Sequence, residues 1–375
     1  MRRTLILLLC LAVLCASAGA EATQTGNALG LKILQSMYVQ EGNALVSPTS
    51  LALALNMAAA GAKGDTLTEL NGLLNMEALD LSGVSAWMDA LDQAGVKVAN
   101  AGFVADGLSL QQEYVETLEQ AMAAQWFSMQ PDATEQVNEW VKAHTDGLID
   151  QLFQEIPQEI SMMLVNAIAL EADWALPFRK ESSDADVFHS PTEDVETEFM
   201  HMKANLPYGE AEGVQFLRLD YLEGDLAMYI ALPQAGGMEE ALKDLAEHEL
   251  DWFAPLSEPK KVELSLPKMD LESNESLMDA LKALGMTVSS SDAADFSGMS
   301  QEPLYIADVR QAVRVQVDEE GTKAAAATAI GIATASAPVQ EEIVEMNVNR
   351  PFIFAIAQKQ TGTILFAGAV NNPQN

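Results

Sequence analysis

The chain has 375 residues, with 55 acidic and 20 basic side chains and a formal charge of −35. Charged residues make up only 20% of it, against about 25% in an average protein, so the acidity reflects missing Lys and Arg. That shortage argues against nucleic acid and against anionic membrane surfaces, which both need clustered bases, while a hydrophobic content of 49% is enough to bury a large core.

Residues 1–20 carry the pattern of a secretory signal peptide. Arg2 and Arg3 precede an apolar run from Leu5 to Ala16, which is too short to span a bilayer. Ala16-Ser17-Ala18 and Ala18-Gly19-Ala20 both offer small-residue cleavage sites. A lipid anchor at Cys15 is the alternative, and the bulky Leu14 before it counts against that. Two adjacent arginines are too little for a twin-arginine signal. Cleavage removes both cysteines, Cys10 and Cys15, and leaves 18 bases against 55 acids, a net of −37. The mature chain, 21–375, is then exported, soluble and free of disulfide or thiolate chemistry.

Ser47-Pro48 opens a helix, with Ser47 as cap and Pro48 in the first turn. Leu51, Leu53, Leu55 and Met57 make it apolar nearly all round, hence buried, with Gly61 and Gly64 as its stop. Helical spacing predicts further helices over Thr66–Asn75, Thr134–Phe153 and Ser276–Met286, the last with Leu277, Ala280, Leu281 and Leu284 on one side. Strands are predicted over Met162–Leu170, Leu226–Leu232, Val262–Leu266, Phe352–Ala357 and Thr363–Val370. Ala312–Asp318 alternates, with Val313, Val315 and Val317 on one face. No repeat and no Pro/Ser-rich linker divides the chain, so a single large α+β domain is expected. The stretch from Gly321 to Arg350 has no convincing element, and loops of that length are usually functional or disordered.

Signatures of catalysis are missing. His144, His189, His201 and His248 do not fall in metal-ligand spacing, and His248-Glu249-Leu250-Asp251-Trp252 breaks the zinc pattern at its last position. There is no nucleophile elbow, P-loop or dinucleotide fingerprint. Glu319 and Glu320 are adjacent, so on a strand they point to opposite faces. Neither an enzyme nor a metal or other cofactor is expected.

Asp318-Glu319-Glu320-Gly321-Thr322-Lys323-Ala324-Ala325-Ala326-Ala327-Thr328 resembles the hinge of the reactive-centre loop of an inhibitory serpin, and Val348-Asn349-Arg350-Pro351-Phe352-Ile353-Phe354 resembles the family signature after that loop. Asn166-Ala167-Ile168 with Trp174 and Phe178, Asn43 to Pro48 with Ser50, Ala280 to Met286, and Asp295 to Met299 also match, in family order from about residue 27 to 373. An exported, cysteine-free chain suggests a prokaryotic source, and the resemblance implies one domain of three β-sheets and eight or nine helices with an exposed reactive-centre loop over about 321–350. It implies a suicide inhibitor: a serine protease cleaves the loop and is held as an acyl-enzyme while the loop enters the central sheet as a new strand, an established case of strand addition. Glu319, Gly321, Thr322 and Ala324 to Thr328 (Ala325, Ala326 and Ala327 between them) would be the hinge. Ser47, Ser50, Asn166, Trp174 and Gln311 would form the shutter and the top of the sheet.

The loop's own residues suit insertion. An inserted strand from Thr322 turns Ala324, Ala326, Thr328, Ile330, Ile332 and Thr334 inward, all small or apolar. No proline stands between Gly321 and Ala337 to block a ladder bond. About 14 inserted residues span on the order of 45 Å, and a dozen new hydrogen bonds at roughly 0.5–1.5 kcal/mol each amount to on the order of 10 kcal/mol, comparable to a domain's whole stability. Family spacing places the scissile bond between Ala335 and Ser336, with Ile332, Ala333, Thr334 and Ala337 as flanking recognition residues. No Lys, Arg or aromatic residue lies between Ala324 and Asn349, which argues against a trypsin-like target. An elastase-like protease fits best and a subtilisin-like one next. A monomer is expected.

Departures from the family are Gln311 at a position usually held by His, Lys323 where Glu is usual, Glu171 and Ala172 in place of Lys and Gly, and a longer Ser336–Pro351 segment bearing Glu341, Glu342 and Glu345. Lys63 and Lys97 are the only bases between Leu51 and Val141, so no heparin-type site is expected. The rival reading is a non-inhibitory serpin serving as a binding or scaffold protein, for which bulky or proline residues in the hinge would speak.

Overall fold

The computed structural model describes residues 26–157, 160–223, 225–256, 259–322 and 343–374. The first half holds α1 (Gly26–Met37), β1 (Ala44–Val46), α2 (Pro48–Gly61), α3 (Gly64–Leu73), α4 (Val84–Asp92), β2 (Val96–Val104), α5 (Gln112–Met122), β3 (Gln125–Ser128), α6 (Ala133–His144), β4 (Met162–Leu170) and β5 (Ala172–Asp173). The second is mostly strand: β6 (Asp184–His189), β7 (Asp194–Ala211), β8 (Val214–Asp220), β9 (Leu226–Pro233), α7 (Met238–His248), β10 (Pro259–Pro267), β11 (Met269–Ser276), α8 (Met278–Ala283), β12 (Arg310–Val317), β13 (Gly321–Thr322), β14 (Ile343–Asn347), β15 (Phe352–Gln358) and β16 (Ile364–Val370). Among the described residues there are thus eight α-helices, and none is long and apolar enough to cross a membrane.

The strands form three sheets in one α+β domain, as the resemblance implies. A nine-stranded sheet runs β1-β16-β15-β9-β8-β7-β10-β14, with β6 beside β7. A four-stranded sheet runs β11-β12-β13-β5, and a three-stranded sheet β3-β2-β4. β9, β15 and β16 are covered on both faces and read as continuous apolar runs. β12 has a solvent-leaning face, which is why its sequence alternates: Val313, Val315 and Val317 are buried while Arg314 and Gln316 are half-exposed.

Ser47 caps α2 as expected, its Oγ accepting from the Ser50 amide at 3.1 Å with Pro48 in the first turn. The role expected of Gly61 and Gly64 is different in the structure. α2 does end at Gly61, but it is packing that requires glycine there, since a Cβ would lie 2.0 Å from Cγ of Met299, and Gly64 lies beyond the end, beginning α3 at φ +55°.

Two helix predictions overran. The helix over Thr134–Phe153 stops at His144, where Asp146 (φ 50°) and Gly147 (φ 75°) reverse the chain. Ile149 and Leu152 then bury against the same core as Val137 and Trp140, which prolongs the apolar pattern without prolonging the helix. The helix predicted over Ser276–Met286 is only α8, since β11 runs through Ser276. Leu277 and Leu281 are buried, but Leu284 is 37% exposed. Gly321–Arg350 is also not bare, because β13 and β14 lie within it.

Most apolar side chains form one core. A second core lies on the other face of β2 and β4, where Ala101, Phe103, Val165 and Ala167 meet Val137, Trp140 and Val141 of α6.

Candidate functional site

The four- and three-stranded sheets meet at a seam. β5 follows β4 after the single residue Glu171, and β12 touches β4, so β4 with β5 forms one wall and β12 the other. β13 sits in the top of this seam. Thr322 pairs with Val317 of β12 and with Ala172 of β5, and Gly321 pairs with Asp173, both ladders antiparallel.

A tight turn delivers β13 there. The Asp318 carboxylate accepts from the amides of Glu320 (2.8 Å) and Gly321 (3.2 Å), and the Asp318 amide donates to the Gly321 carbonyl (3.0 Å). Gly321 is needed for close approach, because a Cβ would lie 2.2 Å from the Ala172 carbonyl oxygen. Trp174 holds the turn from the side: its indole donates to the Asp318 carbonyl (3.1 Å) and its amide to the Glu320 carbonyl (2.8 Å). It stacks on Tyr221 at 4.4 Å and 14°, and the Tyr221 hydroxyl lies 2.6 Å from Oγ1 of Thr322. Burial pushes the Tyr221 hydroxyl well above its usual titration range, so it stays neutral and serves as a hydrogen-bonding group.

Glu319 and Glu320 lie in the turn between β12 and β13, not on a strand, and their carboxylates take separate partners. Glu319 is 4% exposed, accepting from Ser183 Oγ (2.7 Å) and Lys268 (3.0 Å), and Lys268 also holds Glu198 (2.9 Å). Burial alone would raise the Glu319 carboxyl, but Ser183 and Lys268 outweigh it and hold it below its usual range. Glu320 pairs outward with Lys180 at 2.7 Å.

Gln311 and Asn166 are level across the seam, six residues below Val317 and Ala172 respectively, on the inward face. They do not bond to each other. Gln311 accepts from the Ser47 amide (2.8 Å) and donates to the Ser47 carbonyl (3.0 Å), so it holds the Ser47 backbone by both its oxygen and its nitrogen. Ser47 Oγ in turn donates to the Leu365 carbonyl (2.6 Å). Asn166 donates to Asn100 Oδ1 (2.9 Å) and the Ala99 carbonyl (3.3 Å), and its own buried Oδ1 has no partner among the described residues.

The chain matches the family model described as serpin, serine protease inhibitor, over residues 24–373. The chain is a serpin.

This serpin is 32% identical to Iripin-5 of Ixodes ricinus, with 99% of this chain and 100% of that protein covered. It is 31% identical to an uncharacterised serpin-like protein of Thermococcus kodakarensis, with 93% and 85% covered. Its fold superposes on the native state of the thermophilic serpin tengpin with a TM-score of 0.84 at 28% identity, covering 93% of this chain and 94% of that one. Serpins are in general protease inhibitors, not catalysts.

Of the residues singled out in the sequence, the structure brings Glu319, Gly321, Thr322 and Trp174 together at the top of the seam and Ser47, Ser50, Asn166 and Gln311 around its middle. Ala324 to Thr328, Ile332 to Ala337 and the Ala335–Ser336 bond lie outside the described residues. Tyr221, Ser183 and Lys268 carry no sign in the sequence. Each is distant in sequence from its partner, so only the fold makes it visible.

Proposed function

We propose that this serpin is a secreted inhibitor of serine proteases that acts by cleavage of its loop, trapping of the acyl-enzyme and insertion of the loop into the seam. The observation that carries the reading is β13, already bonded to both walls. Extending its two ladders in the same register sets position 324 between Val315 and Leu170, 326 between Val313 and Ile168, and 328 between Gln311 and Asn166. The residues at those positions are Ala, Ala and Thr. Small side chains meet apolar walls, and a hydroxyl arrives at the level of two amides.

The far end of the loop is tied elsewhere. β14 runs parallel to β10 from Ile343 opposite Lys261, and Arg350 donates to the Pro233 carbonyl at 2.9 Å. Cleavage at Ala335–Ser336 frees the hinge side from that tether and lets it enter the seam. A protease esterified at Ala335 is then carried by the moving segment. The small residues there suit an elastase-like enzyme first and a subtilisin-like one second, and the chain works as an exported monomer without a polysaccharide cofactor.

Incubation with elastase-type and subtilisin-type proteases tests this. The expected result is a complex stable in SDS, a cut at Ala335–Ser336 by mass, and a large gain in melting temperature for the cleaved protein. Simple cutting with neither complex nor gain overturns it.

The second reading is a binding module. The fold is shared, at 22% identity and a TM-score of 0.83, with human thyroxine-binding globulin, solved in complex with its ligand. Ala324 to Ala327 favour insertion over this reading, and the same melting experiment separates the two.

A further inference from the structure

β14 closes one end of the nine-stranded sheet, parallel to β10 and with its other edge unpaired among the described residues. Its side chains alternate: Met346 is buried and Val344 half-buried, while Ile343, Glu345 and Asn347 turn outward. The backbone is held in place. Gln215 donates to the Glu345 carbonyl (3.1 Å) and to the Tyr208 hydroxyl (2.8 Å), and that hydroxyl donates to Glu210. A strand fixed in this way presents its outward groups with little left to order on binding.

Two of those groups are unusual. Ile343 is a large apolar side chain that is 43% exposed. Glu345 stands directly beside Glu263 of β10 on the outward face, and like charges at paired positions repel. Glu263 has a counter-ion in Lys203, on the strand at its other side, at 2.8 Å. The Glu345 carboxylate has no ion pair or hydrogen bond among the described residues. The face thus leaves a carboxylate without a counter-ion, two residues from an uncovered apolar side chain.

This face lies at the foot of the loop. Ile343 is seven residues beyond Ser336, and seven residues span at most about 25 Å. A protease holding the Ala335–Ser336 bond therefore has β14 within reach, on the side to which the leaving segment runs. We propose that the outward face of β14, through Ile343 and the Glu345–Glu263 pair, is a second docking surface for the target protease. The partner it fits carries a Lys or Arg beside an apolar side chain, on the leaving-group side of its active-site cleft. The base supplies the missing counter-ion, an arginine bridging both carboxylates, and the apolar neighbour covers Ile343. The negative charge of the whole chain, −35, draws such a partner in. The inference rests on the loop-cleavage reading, and it places the base on the enzyme's surface, so it agrees with a loop that has none.

The test uses the full mature chain with Glu345→Gln, Glu345→Lys and Ile343→Ser, and with Glu119→Gln, which removes the same charge from an exposed position on α5, as control. Two quantities are measured with an elastase-type and a subtilisin-type protease. One is the rate of association with the active enzyme, the other the affinity for the same enzyme with its catalytic serine changed to alanine. For the protease that cuts the wild type faster, Glu345→Gln is expected to lower both about threefold and Glu345→Lys about tenfold at about 0.05 M sodium chloride, with smaller losses at about 0.5 M. Ile343→Ser weakens the affinity at both salt concentrations, and Glu119→Gln matches the wild type. Melting temperatures no lower than that of the wild type show that the Glu345 variants fold. Wild-type rates and affinities for folded Glu345→Lys, or an equal loss in Glu119→Gln, overturn the docking surface. A wild type that is cut but traps neither protease overturns the functional reading instead, and the affinities for the serine-to-alanine enzymes still judge the surface.

Discussion

The hydroxyls of Tyr221 and Thr322 lie 2.6 Å apart, both closed to solvent. Thr322 is the last residue of β13, so this bond fastens the point from which insertion would proceed. Tyr221→Phe keeps the stack on Trp174 and leaves the Thr322 hydroxyl buried without that partner. The expected cost is about 1 kcal/mol, read as a lower urea midpoint for the intact protein, with faster hydrogen exchange at Gly321 and Thr322. An unchanged midpoint and exchange would show that the bond does not fasten β13.

Gly321→Ala acts at the same place by collision. A Cβ placed 2.2 Å from the Ala172 carbonyl oxygen and 2.8 Å from Asp173 Cα meets backbone atoms that cannot swing aside. The variant is expected to lose the β13 pairing with β5 and to behave more as a substrate, with more inhibitor cut per protease trapped. Wild-type stoichiometry together with a retained Thr322–Ala172 pairing would contradict this geometry.

Glu69 gives a pH prediction. Its carboxylate accepts from the amides of Thr287 (2.8 Å), Val288 (2.7 Å) and Ser289 (2.9 Å) and from the hydroxyls of Thr287 (3.0 Å) and Ser289 (2.6 Å). Burial works to raise its pKa, but the bonds from Ser289, Val288 and Thr287 prevail and hold it at about 2, from a usual 4.5. The folded value lies below the unfolded one, so the contribution is complete above about pH 4.5 and is lost as the pH falls toward about 2. Glu69→Gln should lower the melting temperature at pH 7 and flatten its decline over that window. Parallel acid limbs for the variant and wild type would rule out this anchor as a source of acid sensitivity.

The net charge sets a salt dependence. With a formal −35 spread over the sequence, self-repulsion opposes the compact state, and added ions screen it. Raising sodium chloride from about 0.01 M, where the Debye length is about 30 Å, to 1 M, where it is about 3 Å, should raise the melting temperature by several degrees. A flat or falling curve would mean that the surface ion pairs, such as Lys203–Glu263 and Lys142–Asp150, outweigh the repulsion.

How much of this was legible depended on whether one strand or helix carried its own signal. β12 announced itself because one face is buried and the other is not, and Ser47-Pro48 because capping is local chemistry. β7 spans 18 residues but was not predicted, since Asp194 to Glu198 put acids at every second place and the strand's pairing changes along its length. The stop at His144 was hidden because the return segment buries leucine and isoleucine on the core that α6 already uses. Gln311 could be marked as unusual in the sequence, but its two bonds to the Ser47 backbone depend on an approach between residues far apart in the chain. Tyr221 carried no local sign at all.

Among the described residues Asn166 Oδ1 is a buried acceptor without a hydrogen-bond partner, on the β4 side of the seam. An interior normally satisfies its polar atoms. Under the proposed insertion, position 328 would come to that depth, and the inserted arrangement would satisfy an acceptor that the present one leaves open.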